Sequence, residues 1–262
     1  MAGYRKSGRA VRDAASARSE PRPVSEGAGG PATLGEAAYQ RLRADIVVGA
    51  FKAGEPLRLE ALRQRYGLSF SPLREALMRL QSERLVASTA LRGFSVAPLS
   101  REEIEDATET RILIESEALR RAMRNGNDDW EAAIVAAFHA LSLQVERQSK
   151  MSGRVETADL FAMEERHHHF HRALISQCRS PRLLELAEQL YVETQRYRLP
   201  NYFAGALGKR RRDATAEHRQ IMDATLRRSE EAVRLLAEHY RKTAAIIETS
   251  IEWPALPGAA AK

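Results

Sequence analysis

Residues 57–99, LRLEALRQRYGLSFSPLREALMRLQSERLVASTALRGFSVAPL, constrain the chain more than any other stretch. Leu59, Leu62 and Tyr66 recur at helical spacing, and Gly67 supplies the residue that stops a helix in a sharp turn. The pattern predicts that a second helix follows at once, with Ser71 capping its free N–H groups and Pro72 at the first helical position, where no donor is needed. Leu73, Ala76, Leu77 and Leu80 then form its apolar face, while Ser71, Arg74, Met78 and Gln81 point the other way. Extended segments around Leu85–Ser88 and Gly93–Ala97, joined by a tip with Arg92 and Gly93, suit a β-wing, and Pro98 closes the unit. Helix, turn, helix and wing in this order predict a winged helix-turn-helix. Its polar second helix fits a DNA major groove, and its wing arginine fits the adjacent minor groove.

From Ser100 the pattern changes to long helical stretches with almost no β signature. Helices are expected at about 101–124, 128–150, 157–178, 181–199, 209–227 and 229–252, with breaks at Asn125–Asn127, Ser152–Gly153, Ser180–Pro181 and Pro200–Gly208. The fold expected is therefore mainly α, a winged helix over 34–99 followed by an all-α bundle over 100–253. Residues 1–33, with six Arg or Lys against three acids, read as a disordered basic arm, and 254–262 as a flexible tail. The chain has 262 residues and a net charge of +6, which favours a polyanionic partner without deciding for one. Its one cysteine, Cys178, cannot form an internal disulfide, and no apolar run approaches the roughly 20 residues of a membrane span. A cytoplasmic protein with no membrane partner is expected.

Four histidines carry the chemistry of the bundle. In EERHHHFHRAL, His167 and His171 stand four apart and project from one helix face, as two-histidine metal sites require, while His168 and His169 point elsewhere. His218 in AEHRQIMDATL and His239 in LLAEHYRKT lie equally far from a hairpin turn placed at Arg228–Ser229, so they reach the same height on antiparallel helices. Four imidazoles favour a divalent transition metal, zinc first, with nickel, iron or copper as alternatives, over magnesium or calcium. A di-iron enzyme site is disfavoured: it needs paired Glu-x-x-His motifs, and among the four candidate histidines only His167 has a glutamate, Glu164, three residues before it. No enzymatic activity is expected.

SPLREAL, followed by RL, LV and RGF, resembles the DNA-binding domain of the GntR family of bacterial transcription regulators over residues 36–99. Residues 104–250 resemble the FCD effector-binding domain of that family, through TRILIESEAL, FHRAL, SPRLLEL, AEHRQIMDA and LLAEH. The resemblance implies a homodimer on a palindromic double-stranded DNA operator, with Ser69, Ser71, Arg74, Arg92 and Gly93 near the DNA. It also implies a metal held by positions 167, 171, 218 and 239 as a post for a small carboxylate effector, met by Arg111 as well. Arg111 alternatively pairs with Glu115 four residues on. The chain departs from the family in carrying Phe70 where an arginine is usual, just before the second helix, and His167 where an acidic ligand is usual. Ser180 replaces a common asparagine, and the His218–His239 interval is one residue short. FSPLREAL, GNDDWEAAIVAAFHALS and SPRLLEL are most similar to a subgroup with glutarate-responsive repressors, which implies a short dicarboxylate and repression relieved by it.

Overall fold

The computed structural model describes residues 33–89, 93–151, 156–203, 212–251 and 253. The expected arm up to Ala32, the wing-tip residue Arg92 and the expected tail from Pro254 lie outside them. Helix α1 (Leu34–Val47) is capped by Thr33, whose hydroxyl accepts from the Glu36 N–H. Helix α2 (Leu59–Tyr66) ends at Gly67 with φ 67°, the left-handed turn that glycine adopts without steric cost. Helix α3 (Phe70–Ser82) follows, then β1 (Val86–Thr89) antiparallel to β2 (Gly93–Val96), with Val86 opposite Val96 and Thr89 opposite Gly93. Leu42, Leu62, Leu73, Leu77, Leu80 and Leu85 are fully buried together beneath α1 to α3.

Helix α3 begins two residues earlier than expected, at Phe70 rather than Pro72. Ser69 takes the extended N-cap conformation without a side-chain bond, and Ser71 lies exposed inside the first turn and caps nothing. Phe70 is thus the first residue of the helix rather than part of the preceding turn. It is 46% exposed, with the Arg63 guanidinium 5.7 Å from its ring centre.

The remaining helices are α4 (Arg101–Asn125), α5 (Asp128–Lys150), α6 (Thr157–Ile175), α7 (Pro181–Phe203), α8 (Ala214–Leu226) and α9 (Glu231–Ser250). Ser100, Asn127 and Asp213 cap α4, α5 and α8, each accepting a backbone N–H three residues on. Helix α4 lies against α7 and α9, α5 against α6 and α8, and α8 against α9. Leu119, Trp130, Ile134, Leu141, Phe170, Leu174 and Leu236 fill the space between them. The α8–α9 hairpin turns at Arg228, whose positive φ of 55° is tied down by side-chain bonds to the carbonyls of Met123 and Gly126 and to Glu131.

Other expected boundaries move, among them the start of α8, at Ala214 instead of about 209. Helix α6 stops at Ile175, short of Cys178, and α7 runs through Pro200 to Phe203 instead of breaking there. A proline in the last turn removes one backbone bond, and tertiary contacts hold the segment regardless. Leu199 is buried with the winged-helix core, Arg196 donates to the Ala97 carbonyl at 3.0 Å, and Gln195 accepts from Arg43 at 2.6 Å. The same few residues of α7 carry Thr194 and Arg198, which line a cavity inside the bundle.

Candidate metal and effector site

Helix α6 presents His167 and His171 from consecutive turns of one face, and the α8–α9 hairpin brings His218 and His239 to them. One nitrogen of each ring lies within 4.8 Å of those of the other three, and all four rings are buried. His167 Nε2 and His171 Nε2 are 3.1 Å apart. Two imidazole nitrogens on one ion at about 2.0–2.1 Å are separated by roughly 2.9–3.4 Å, so this pair already has ligand spacing. Burial drives His167, His171 and His218 well below the usual histidine range, with neighbouring positive groups adding to it, and draws His239 down to about 4. All four are neutral near pH 7, the state in which imidazole ligates.

The surrounding side chains set the tautomers of two rings. Tyr240 donates its hydroxyl to Glu115 at 2.5 Å and lies 3.0 Å from His171 Nδ1, so Nδ1 carries the proton that the phenol oxygen accepts. His239 Nδ1 donates to Glu217 at 2.9 Å, and Arg212 secures that carboxylate from the other side at 2.6 Å. Burial opposes ionisation of Glu217, but the bonds from His239 and Arg212 outweigh it and hold the carboxyl well below its usual range. The Nε2 lone pairs of His171 and His239 are thereby free for the centre of the cluster. His218 Nε2 and His167 Nδ1 are buried without hydrogen-bond partners, and His167 Nδ1 stands 4.0 Å from Glu164 Oε2, itself unpartnered. His168 points away, stacked on Tyr191 and bonded to Glu188.

Arg111 makes the pair with Glu115 that the spacing allows, and it also faces the space beside the histidines. Its Nε donates to Glu115 at 2.5 Å, four residues on, yet the pair is buried and not on the helix surface. Its guanidinium lies over the Tyr240 ring and lines the same small cavity, about 30 Å³, as His167 and His239. Arg198 lines that cavity as well, paired with the buried Glu164 at 2.6 Å, and was not singled out by the sequence. Nothing in the local pattern of TQRYRLP says that this arginine faces inward; its position follows from how α7 packs on α6. Glu217, Tyr191 and Tyr240 escaped notice for the same reason.

On the winged helix, Ser69, Ser71, Arg74 and Gly93 are all exposed, and Gly93 has φ 78° at the start of β2. Arg74 has no ion-pair partner among the described residues, whereas Arg63, Arg65 and Arg79 are engaged by Glu60, Asp45 and Glu36. A free cation near the N-terminus of α3 can reach phosphate or a base edge without first breaking an internal bond.

Residues 34–96 match the family described as bacterial regulatory proteins, gntR family, and residues 106–242 match the FCD domain. BphR of Paraburkholderia xenovorans (strain LB400), described as an uncharacterized HTH-type transcriptional regulator, is 37% identical over 217 residues, 82% of this chain and 85% of the relative. The HTH-type transcriptional repressor GlaR of Escherichia coli (strain K12) is 37% identical over 160 residues, 61% of this chain and 70% of the relative. The solved structure of E. coli McbR/YncC superposes with a TM-score of 0.66 at 21% identity, covering 83% of this chain and 98% of that one. A GntR regulator from Rhodococcus sp. RHA1 does so with 0.61 at 24%, covering 83% and 99%. These two likenesses bear on the fold, which is the mainly α arrangement with a winged helix that the sequence led us to expect. No helix among the described residues is long and apolar enough to cross a membrane.

Proposed function

Because this chain belongs to the gntR family of bacterial regulatory proteins, with an FCD domain behind its winged helix, we propose that it is a repressor released by a small organic acid bound at a metal centre. It is a DNA-binding transcription regulator, and its characterised relatives are regulators rather than enzymes. In this reading it acts in the cytoplasm as a homodimer on a palindromic operator, with Ser69, Ser71, Arg74, Arg92 and Gly93 at the DNA. The metal is a divalent transition ion, zinc first, and the acid a short dicarboxylate first.

The observation that carries the reading is the buried cluster of four neutral imidazoles, two with their tautomers set so that Nε2 is free. The residues fit an ion. Without one, His218 Nε2 stays buried and unsatisfied, and His167 is left with either Nδ1 or Nε2 poorly served. With one, His167 can carry its proton on Nδ1, toward Glu164. When bound, the metal supplies a Lewis-acidic post for a carboxylate. Arg111, fixed by Glu115 and Tyr240, offers its guanidinium beside that post and orients the acid. Parting α4 and α7 to admit the acid would move Gln195, Arg196 and Leu199, which hold the winged helix, and so change the spacing of the two recognition helices.

The test is operator binding, on duplexes selected from random sequence, by fluorescence anisotropy with and without zinc across a panel of organic acids. Release that requires both zinc and an acid is expected; binding unchanged across all metals and acids refutes the reading. A second reading, in which the metal alone is the signal, is favoured by the size of the cavity, which at about 30 Å³ holds water but no organic acid as it stands. Zinc-dependent release with no acid present would establish it.

A further inference from the structure

Arg198 is a buried cation with an unmet donor. It is 3% exposed, its Nη1 donates to Thr194 Oγ1 at 2.7 Å and its Nη2 to Glu164 Oε1 at 2.6 Å, but its Nε–H has no acceptor. Glu164 in turn has an unpartnered Oε2. The Arg198 side chain lines the same cavity as Arg111, His167 and His239. Both guanidinium groups pack on one ring, Arg111 at 5.5 Å and Arg198 at 4.7 Å from the centre of Tyr191. They are therefore no more than about 10 Å apart, a distance that two acidic groups on a short carbon chain can bridge.

The charge balance points the same way. Arg111 is neutralised by Glu115, Arg198 by Glu164 and Arg212 by Glu217, and the four imidazoles are uncharged. A divalent ion in the cluster leaves two positive charges uncompensated in a buried space, because no carboxylate stands among its four candidate ligands. A buried charge is tolerated only when paired, and a ligand with two acidic groups restores balance where one with a single group does not.

We propose that Arg198 is the second anion-reading residue of this site, so that the acid it selects carries two acidic groups, one at the imidazole cluster beside Arg111 and the other at Arg198. This assignment rests on the metal and carboxylate reading above. Glu164 occupies Arg198 in the structure, and the arriving group takes the vacant Nε–H and shares the guanidinium with it.

The experiment is calorimetric titration of the zinc-loaded full chain with glutarate and with pentanoate, which match in carbon number and differ by one carboxylate. Wild type is expected to bind glutarate at least about tenfold more tightly than pentanoate, since a buried donor left unpaired penalises the ligand that lacks its partner. Arg198→Gln should bring the two acids within about twofold, because the group that tells them apart is gone. The double variant Arg198→Gln/Glu164→Gln should do the same; it leaves no buried carboxylate alone and guards against a folding defect in the single one. Zinc content and the helical circular dichroism are measured on each variant beside the titration. Glutarate binding with wild-type discrimination in folded, zinc-loaded Arg198→Gln or in the double variant overturns the assignment of Arg198 alone. Zinc-loaded wild type that binds neither acid overturns the carboxylate reading, and this assignment with it.

Discussion

Glu217→Gln should weaken metal binding by about 10- to 100-fold, or roughly 1.4–2.7 kcal/mol. In the structure Glu217 Oε2 receives both His239 Nδ1 at 2.9 Å and Arg212 Nη2 at 2.6 Å, while Oε1 receives Arg212 Nε at 2.9 Å. A glutamine oxygen in the place of Oε2 can still accept from both groups, but the amide is neutral and turns its N–H donors toward Arg212 Nε where Oε1 had accepted. His239 loses the carboxylate that fixes its tautomer, and the Arg212 charge, 3.0 Å from His239 Nδ1, goes uncompensated beside a ligand of a positive ion. The effect should therefore fall toward the upper end of that range. Competition with a chromophoric zinc chelator measures it. Glu238→Gln is the control, because that carboxylate pairs with Arg234 and Lys242 on the exposed face of α9. If Glu217→Gln holds zinc within twofold of wild type at an unchanged fold, the hydrogen bond to His239 does not organise a metal site.

Two further variants separate the winged helix from the bundle. Arg74→Ala should leave thermal stability within about 0.5 kcal/mol, since the side chain is exposed and unpaired, yet weaken operator binding by about 1–3 kcal/mol per site. Unchanged anisotropy titrations would remove Arg74 from the interface. Gly126→Ala places a methyl group in steric clash with the six-membered ring of Trp130, a buried side chain whose indole N–H donates to the Ala173 carbonyl at 2.9 Å. The ring must move, at a cost of about 1–3 kcal/mol, and calorimetric melting should show a Tm lower by several degrees. An unshifted Tm would mean that this turn has more room than its geometry indicates.

Features carried by local pattern were legible in the sequence. Gly67 ends α2, Leu73, Ala76, Leu77 and Leu80 are buried on α3, and the break between α4 and α5 falls at Asn125–Asn127, each from a signal a few residues long. The gathering of four histidines was legible too, because an i,i+4 pair and the symmetry of one hairpin need no knowledge of the rest of the fold. The polar frame around them was not. Tyr240 meets Glu115 across 125 residues and Arg198 meets Glu164 across 34, and no periodicity marks a charged residue as buried. Pro200 misled for a related reason: local chemistry argues for a break, and the packing of Leu199 in the winged-helix core overrides it.

Metal analysis by mass spectrometry on purified, untagged protein tests the central claim most directly, with the double variant His167→Ala/His171→Ala measured beside it. The account predicts close to one divalent transition metal per chain in wild type, zinc foremost, and its loss in the variant. Wild type that holds none after reloading with zinc, nickel, iron and copper, or a variant that keeps its metal, would contradict it.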